Sequence, residues 1–447
     1  MPDSVSEFPD KLRAAGVVGA GGAGFPSYVK AKGKAEFVLV NAAECEPLLK
    51  KDQSILARWP NRVFDGLEMF MRASGASRGI LCIKRKHGNI IPALEKLAAS
   101  RRGVSVCKLG DFYPAGDEQC IVYEATGRIV PPGGIPLDVG CIVSNVETFY
   151  NAAFAPSPVV KTFITVNGAV KRPSTFLAPV GISWREAVEL CGGFTVKDPV
   201  FIDGGPMMGK VAFDFDAPVV KASSGIIVLP KDHPLIHKKN RTRSVFARQG
   251  RSACDQCSFC TQFCPRYMLG HAVEPHRVMR NLLFSSPEDA ELHSRYALLC
   301  VGCSLCTLYS CPEGLDPKET CAAAKNDLRA LKITYANSQL NTGAPVRPHP
   351  LREYRKVPVP KLIRRLGLED YDRPAPWLET EIRPRRVKIM MSQHIGAPCT
   401  PCVREGQRVA CGDKVGEVPG EKLGCPVHSS IAGTVLKVNE KYVEIIS

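Results

Sequence analysis

The sequence predicts a multidomain α/β chain: an α/β domain, a small β-rich domain, a helical domain built round cysteines, a linker and an all-β module. Three observations predict it. At 447 residues the chain is too long for one core, and length alone suggests about three domains. Short apolar runs alternate with helical patterns at the start, whereas short strands and glycines fill the end. Eight of the 19 cysteines fall into two tight runs of the metal-binding kind. With 45% hydrophobic and 23% charged residues, the composition is that of an ordinary globular protein.

The elements follow in order. In residues 1–155, Phe37-Val38-Leu39-Val40 and Gly79 to Ile83 read as strands, and Arg62 to Ala73 and Ile91 to Ser100 as helices. Residues 156–245 open with the strand Thr162 to Val166, and Asn167-Gly168 predicts a hairpin turn after it. Trp184 to Cys191 has helical periodicity, Ile202 to Pro206 reads as a turn, and Gly225 to Leu229 as a strand, which together fit a β-grasp domain. Residues 246–332 hold the cysteine runs, with helices expected from His271 to Leu299. Residues 333–386 are rich in Pro and Arg and read as a linker wrapped on the surface, with one short helix at Lys361 to Leu368. Residues 387–447 form the all-β module.

The first cysteine run is Cys254-x2-Cys257-x2-Cys260-x3-Cys264-Pro265, and the second is Cys300-x2-Cys303-x2-Cys306-x4-Cys311-Pro312. Cysteines at i, i+3 and i+6 wrap three corners of an iron–sulfur cube, and a fourth before proline reaches the neighbouring cube. The spacing predicts two [4Fe–4S] clusters, one on Cys254, Cys257, Cys260 and Cys311, the other on Cys300, Cys303, Cys306 and Cys264. Zinc sites use two close cysteines per half-site, not four. The x4 gap before Cys311 departs from the bacterial ferredoxin spacing. Thiolate–metal chemistry and the absence of a signal-like start in the acidic, polar Met1 to Asp10 point to a reducing cytosol. No apolar run approaches the roughly 18 residues of a membrane span, so no integral membrane protein is expected.

The formal charge is +15, and two oxidised clusters at roughly −2 each lower it to about +11. Much of the excess sits between Arg347 and Lys388. No zinc-finger, RNA-binding or helix-turn-helix pattern accompanies it, so nucleic acid is not expected. The charge reads as a surface bias towards acidic partners.

Gly19-Ala20-Gly21-Gly22-Ala23-Gly24-Phe25-Pro26 contains G-x-G-x-x-G, with Glu44 twenty residues past Gly24. A dinucleotide site is the textual match, but a buried strand should precede it and Lys11 to Val18 reads as the tail of a helix. A tight turn is the plain alternative. The larger constellation decides. The loop with Lys30 resembles the flavin loop of the NADH-binding subunit of respiratory complex I and of the C subunit of the Rnf complex. Asn41-Ala42-Ala43-Glu44-Cys45-Glu46-Pro47, Tyr113-Pro114-Ala115-Gly116-Asp117-Glu118-Gln119 and Ser144-Asn145-Val146-Glu147-Thr148 resemble the next three FMN segments of those families, in order.

The resemblance implies FMN as cofactor and NADH as substrate. It implies a flavin-binding site made of Gly19, Gly21, Gly22, Ala23, Gly24, Lys30, Asn41, Glu44, Glu46, Tyr113, Gly116, Asp117, Glu118, Ser144, Asn145 and Thr148. Glycine amides near a helix start can cradle a phosphate and Lys30 can neutralise it. Asn41 and Asn145 can bond the flavin ring system, and the acids can accept ribityl or ribose hydroxyls. Asp117 stands where the complex I pattern has Glu.

The resemblance covers the whole chain. Asp203 to Gly209 resembles part of the soluble-ligand-binding β-grasp domain of these families. The glycine and valine spacing from Gln393 to Val435 resembles a barrel-sandwich hybrid, without the exposed lysine of a lipoylated carrier. In the Rnf C subunit that module precedes the flavin domain; here it follows the clusters. This order resembles the cobalamin reductases of propanediol-utilisation bacterial microcompartments. The resemblance implies an enzyme that passes electrons from NADH through FMN and two clusters to cobalamin. Its implied partners are cobalamin or a cobalamin adenosyltransferase and microcompartment proteins, and its implied location is cytoplasmic, inside a microcompartment. The alternative is an electron-input subunit of the Rnf C type docking on another redox protein. Two further readings concern the last module. Cys399, Cys402, Cys411, Cys425 and His428 are either zinc ligands or small buried residues of a β-barrel. His394 is either a corrinoid axial ligand or a structural hydrogen-bonder.

Overall fold

The computed structural model describes residues 7–284 and 286–447, so the first six residues of the acidic Met1–Asp10 stretch lie outside it. The first domain is a parallel four-stranded sheet in the order Val104–Leu109, Arg78–Lys84, Phe37–Ala42, Cys141–Asn145. The continuous apolar runs have their reason here, because a parallel sheet is covered by helices on both faces. The helix Pro60–Ser74 starts on proline, stops at Gly75 in the left-handed region, and buries Val63, Phe64, Leu67 and Phe70. Ligands of open parallel sheets sit beyond the C-terminal ends of the strands. At that edge lie Asn41, Asn145 and the segments following them.

The second domain is a mixed five-stranded sheet in the order Ser174–Pro179, Lys161–Gly168, Gly225–Pro230, Pro199–Asp203, Lys210–Ala212. The helix Trp184–Leu190 begins at a capping box between Ser183 and Glu186. The hairpin turn expected at Asn167-Gly168 is not there. The strand runs through both residues, and the chain reverses only before Ser174. Asn167 is fully buried and donates to the Leu48 carbonyl at 2.9 Å. Gly168 lies opposite Val228, where a Cβ would come within 2.0 Å of the Val228 carbonyl oxygen. A close approach of two backbones, not a turn, requires this glycine.

The third domain is helical, with Arg243–Ala253, Pro275–Arg280, Pro287–Ser294 and Pro317–Ala330 round the cysteines. The 333–386 segment differs from the expected surface linker. Its helix is Val359–Arg365, and Val357, Val359, Leu362 and Leu368 are buried with Leu48, Tyr113, Leu229 and Leu305 from three other domains. Val357–Pro358 pairs with Phe112–Tyr113. Part of its basic charge is spent on other domains: Arg352 pairs with Glu124 at 2.6 Å, and Arg373 donates to the Gly168 and Val170 carbonyls at 2.6 and 2.7 Å. Arg386 pairs with Glu444 at 2.5 Å within the last module. Arg347, Arg364, Arg365, Arg383, Arg385 and Arg386 are exposed, so most of the segment's arginines remain at the surface.

The last module has a four-stranded and a three-stranded sheet. Their apolar residues, among them Val387, Ile389, Val415, Val427, Val443 and Ile445, form one core. No helix among the described residues is long and apolar enough to cross a membrane.

Candidate flavin pocket and iron–sulfur cages

Two cavities mark the cysteine runs. One is walled by Cys254, Cys257, Cys260 and Cys311, the other by Cys264, Cys300, Cys303 and Cys306. Each takes three cysteines from one run and its fourth from the other. The extra residue before Cys311 is absorbed locally: Cys306–Ser310 winds as a π-helical turn, with the Cys311 N–H bonded to the Cys306 carbonyl at 3.2 Å. Burial pushes the Cys264 thiol up to about 12, and burial with the neighbouring thiols raises Cys260 as well. Four thiolates crowded round one cavity, two of them buried, need cations among them. Among the described residues no three His, Cys, Asp or Glu gather round a point that one metal ion would occupy. The donor set fits an iron–sulfur cube better than a lone zinc ion.

A third cavity opens at the C-terminal edge of the parallel sheet, where ligands of such sheets sit. Of the residues expected on the flavin, Gly21, Asn41, Glu44, Glu46, Tyr113, Gly116, Asp117 and Asn145 line it. Gly19, Gly22, Ala23, Gly24, Lys30, Glu118, Ser144 and Thr148 are not among its walls. Thr148 stands behind the glycine loop, where its hydroxyl accepts from the Ala20 N–H at 3.1 Å. The exposed amides of Gly21, Gly22 and Ala23 have no protein partner among the described residues. Lys30 and Glu118 differ from expectation: Lys30 donates to Glu118 at 2.9 Å and to the Val143 carbonyl at 2.7 Å. The helix after the glycine loop, Ser27–Ala31, is only five residues long, so the loop amides themselves, not a helix end, face outward.

Several wall residues are held by tight local bonds. Asn41 donates to the Gly116 carbonyl at 2.9 Å, and Asn145 caps the helix Val146–Ala152 and donates to Asp52 at 2.9 Å. Glu46 accepts the N–H groups of Met207 and Met208 at 2.8 Å each, which pins the β-grasp domain to the pocket. Asp117 caps the helix Glu118–Thr126 and pairs with Arg266, a wall residue of the second cage, at 2.8 Å. The Tyr113 hydroxyl donates to the Cys303 carbonyl at 2.7 Å. Val301 and Cys303 line both the pocket and that cage. The pocket and the second cage therefore share a wall.

Sequence reasoning missed Lys51 and Asp52. Lys51 is 3% exposed and donates to the Ala20 carbonyl at 2.6 Å and to Glu147 at 2.8 Å. It is the buried cation at the glycine loop, the part expected of Lys30. Its position, five residues after Glu46 and thus next to a matched segment, was the available signal. Asp52 is buried in the wall, and its Oδ1 has no hydrogen-bond partner. A ligand rich in hydroxyl or N–H donors would supply one, which FMN does.

Burial, with the Asp52 carboxylate beside it, pushes Glu44 up to about 8, and burial pushes Asp52 up to about 6. The folded flavin-free protein thus keeps a proton that the unfolded chain releases near the ordinary value of 4.5. That stabilisation is complete below 4.5 and is lost as pH rises through about 8. Thermal unfolding of the flavin-free protein should therefore move to lower temperature across this window. Glu44→Gln should remove most of the slope; an unchanged slope would mean that Glu44 is ionised throughout.

In the last module the cysteines go separate ways. Cys399 donates to the Cys425 carbonyl at 3.2 Å, Cys402 to that of Lys414 at 3.4 Å and Cys411 to that of Ser430 at 3.3 Å. His428 is buried in a strand. His394 Nε2 lies 2.8 Å from the Cys425 carbonyl oxygen and 3.1 Å from the Cys425 amide nitrogen, so the ring faces the Cys425 backbone.

The family models agree with this layout. One described as the Nuo51 FMN-binding domain matches residues 12–153, the SLBB domain 163–211, the 4Fe-4S dicluster domain 253–316, and the RnfC barrel sandwich hybrid domain 376–447. FMN and [4Fe–4S] clusters are accordingly its cofactors. The C subunit of the proton-translocating ferredoxin:NAD(+) oxidoreductase complex of Clostridium ljungdahlii is 33% identical over 273 residues, 59% of this chain and 57% of that one. Two proteins named cobalamin reductase PduS match along their whole length. That of Citrobacter freundii is 41% identical over 98% of this chain and 96% of its own, and that of Salmonella typhimurium 41% over 100% and 98%. At that identity over the full length, this oxidoreductase belongs to the PduS family of cobalamin reductases.

Proposed function

We propose that the protein takes electrons from NADH at FMN in the pocket at the C-terminal edge of the parallel sheet and passes them through both [4Fe–4S] clusters to cobalamin, within a bacterial microcompartment. The observation that carries the route is the wall shared by pocket and second cage at Val301 and Cys303. Cofactors on either side of one cysteine are close enough for direct electron transfer. Cobalamin and the microcompartment enter through the relatives' names.

When bound, FMN supplies the exchange between a two-electron hydride donor and one-electron acceptors. The chain supplies position. The amides of Gly21, Gly22 and Ala23 bind the phosphate, with Lys51 holding the loop from beneath. Asn41, Glu44, Asp52 and Asn145 line the pocket and would hold the ring system and ribityl hydroxyls through their amide and carboxyl groups. Tyr113 closes the side towards the second cage. The second cage, next to the pocket, would hold the cluster that draws electrons from the flavin, and the first cage, whose Cys257 is exposed, would hold the one nearer the acceptor. No side chain need act as acid, base or nucleophile.

The test is anaerobic addition of NADH to the loaded protein, followed by visible spectroscopy with and without hydroxocobalamin. Bleaching of flavin and clusters followed by cobalamin reduction is the expected result. Bleaching without cobalamin reduction would move the acceptor elsewhere, and no bleaching would remove NADH as donor.

A further inference from the structure

The glycine loop has little of its own to hold its shape. Besides a five-residue helix after it, three backbone bonds close it, Gly19 N–H to the Phe25 carbonyl at 2.8 Å, Gly24 N–H to the Gly19 carbonyl at 3.2 Å and Ser27 N–H to the Val17 carbonyl at 3.1 Å. Its remaining support comes from far along the chain, from Thr148 and Lys51 at Ala20 and from the last module. The Ile395 N–H donates to the Gly24 carbonyl at 2.9 Å. Gly24 has φ +67°, and a Cβ there would lie 3.2 Å from the His394 Cα, so the two segments are in close contact. Gln393, 4% exposed, accepts the backbone N–H of Lys221 at 3.0 Å and donates to the Met390 carbonyl at 3.0 Å.

Lys221 completes the tie. Its ammonium is buried and donates to the carbonyls of Gly16 and Pro426, both at 3.0 Å. Gly16 stands at the entry to the glycine loop, Lys221 just before a central strand of the β-grasp domain, and Pro426 in the last module. One cation thus joins three domains behind the loop. Its cost argues for a purpose. Two neutral carbonyls do not repay the desolvation of an ammonium as a carboxylate would, and an apolar side chain of similar volume would serve packing at lower cost.

We propose that Lys221 and the Gln393–Ile395 segment are positioning residues for the flavin, which makes the C-terminal module a support of the flavin site from behind its glycine loop. They fix residues 16–24 from behind, so that the outward amides of Gly21, Gly22 and Ala23 are preorganised for the phosphate. The proposal rests on the reading of the pocket as the FMN site.

The test is FMN affinity, measured by fluorescence quenching on full-length protein with its clusters loaded and its flavin removed. Lys221→Met should weaken FMN binding about tenfold or more, the loss expected when a preorganising hydrogen-bond tie is cut. Lys221→Arg should recover part of it, and iron content and the cluster spectrum should stay as in the wild type. A tie that served only stability would lower the unfolding temperature of flavin-free and flavin-bound protein alike and leave the affinity unmoved. Affinity within about twofold of wild type would therefore overturn the proposal while leaving the flavin site in place. If the wild type itself failed to bind FMN, the pocket reading and this inference would fall together. Should Lys221→Met not fold, Gln393→Leu carries the same test with the same outcomes.

Discussion

Cys303→Ser should lower bound iron from about eight to about four per chain and leave the surviving cluster out of reach of NADH. Cys303 belongs to the cage next to the flavin pocket, and its carbonyl holds Tyr113 in the pocket wall. Emptying that cage leaves the first cage, with Cys254, Cys257, Cys260 and Cys311, beyond a gap. The flavin should still bleach with NADH, while the residual cluster signal stays oxidised and cobalamin reduction stops. Cys257→Ser is the counterpart. Cys257 is exposed and lines only the first cage, so this variant should also keep about four irons but reduce them with NADH. Anaerobic iron analysis with low-temperature EPR separates the two. Equal reduction of the remaining cluster in both variants would defeat the order pocket, second cage, first cage.

The cages and the pocket were legible to different depths. Cysteine spacing is local, because i, i+3 and i+6 place three thiols round one corner of space whatever surrounds them. The x4 gap looked like a departure and is a single π-helical turn at Cys306–Ser310. The pocket is assembled from stretches far apart in the chain, from Gly21 to Cys303, so a motif could point at the right stretch and still miss the side chain. Lys30 sits in the motif, yet it is spent on Glu118; Lys51, outside the quoted residues, takes the buried place. Asn167-Gly168 misled for the same reason. The pair is a turn signal in isolation, but its partners, Leu48 and Val228, are distant in sequence. Composition misplaced 333–386 as well. Proline and arginine suggested a solvated wrap, while a few apolar positions, Leu362 and Leu368 above all, seat it in a core shared by three domains.

Lys51→Met should abolish flavin retention and destabilise the first domain by about 3–5 kcal/mol, the cost of leaving one member of a buried ion pair alone. The Lys51–Glu147 pair is 2.8 Å long with side chains 4% and 0% exposed. Glu147 has two further donors, the Thr162 hydroxyl at 2.8 Å and the Phe163 N–H at 3.0 Å. These partly compensate its charge but join it to the β-grasp domain, so its loss of Lys51 is felt at a domain boundary. Lys51 also holds the Ala20 carbonyl, and the opposite face of that loop presents the three outward amides. Stability and flavin affinity should therefore fall together in this variant. The double variant Lys51→Met with Glu147→Gln separates the two effects. Removing the stranded carboxylate should restore much of the stability, measured by urea unfolding of the flavin-free protein. It should not restore flavin binding, because nothing then holds the Ala20 carbonyl. Recovery of both would reduce Lys51 to a counter-ion for Glu147; recovery of stability alone would make it the anchor of the phosphate loop.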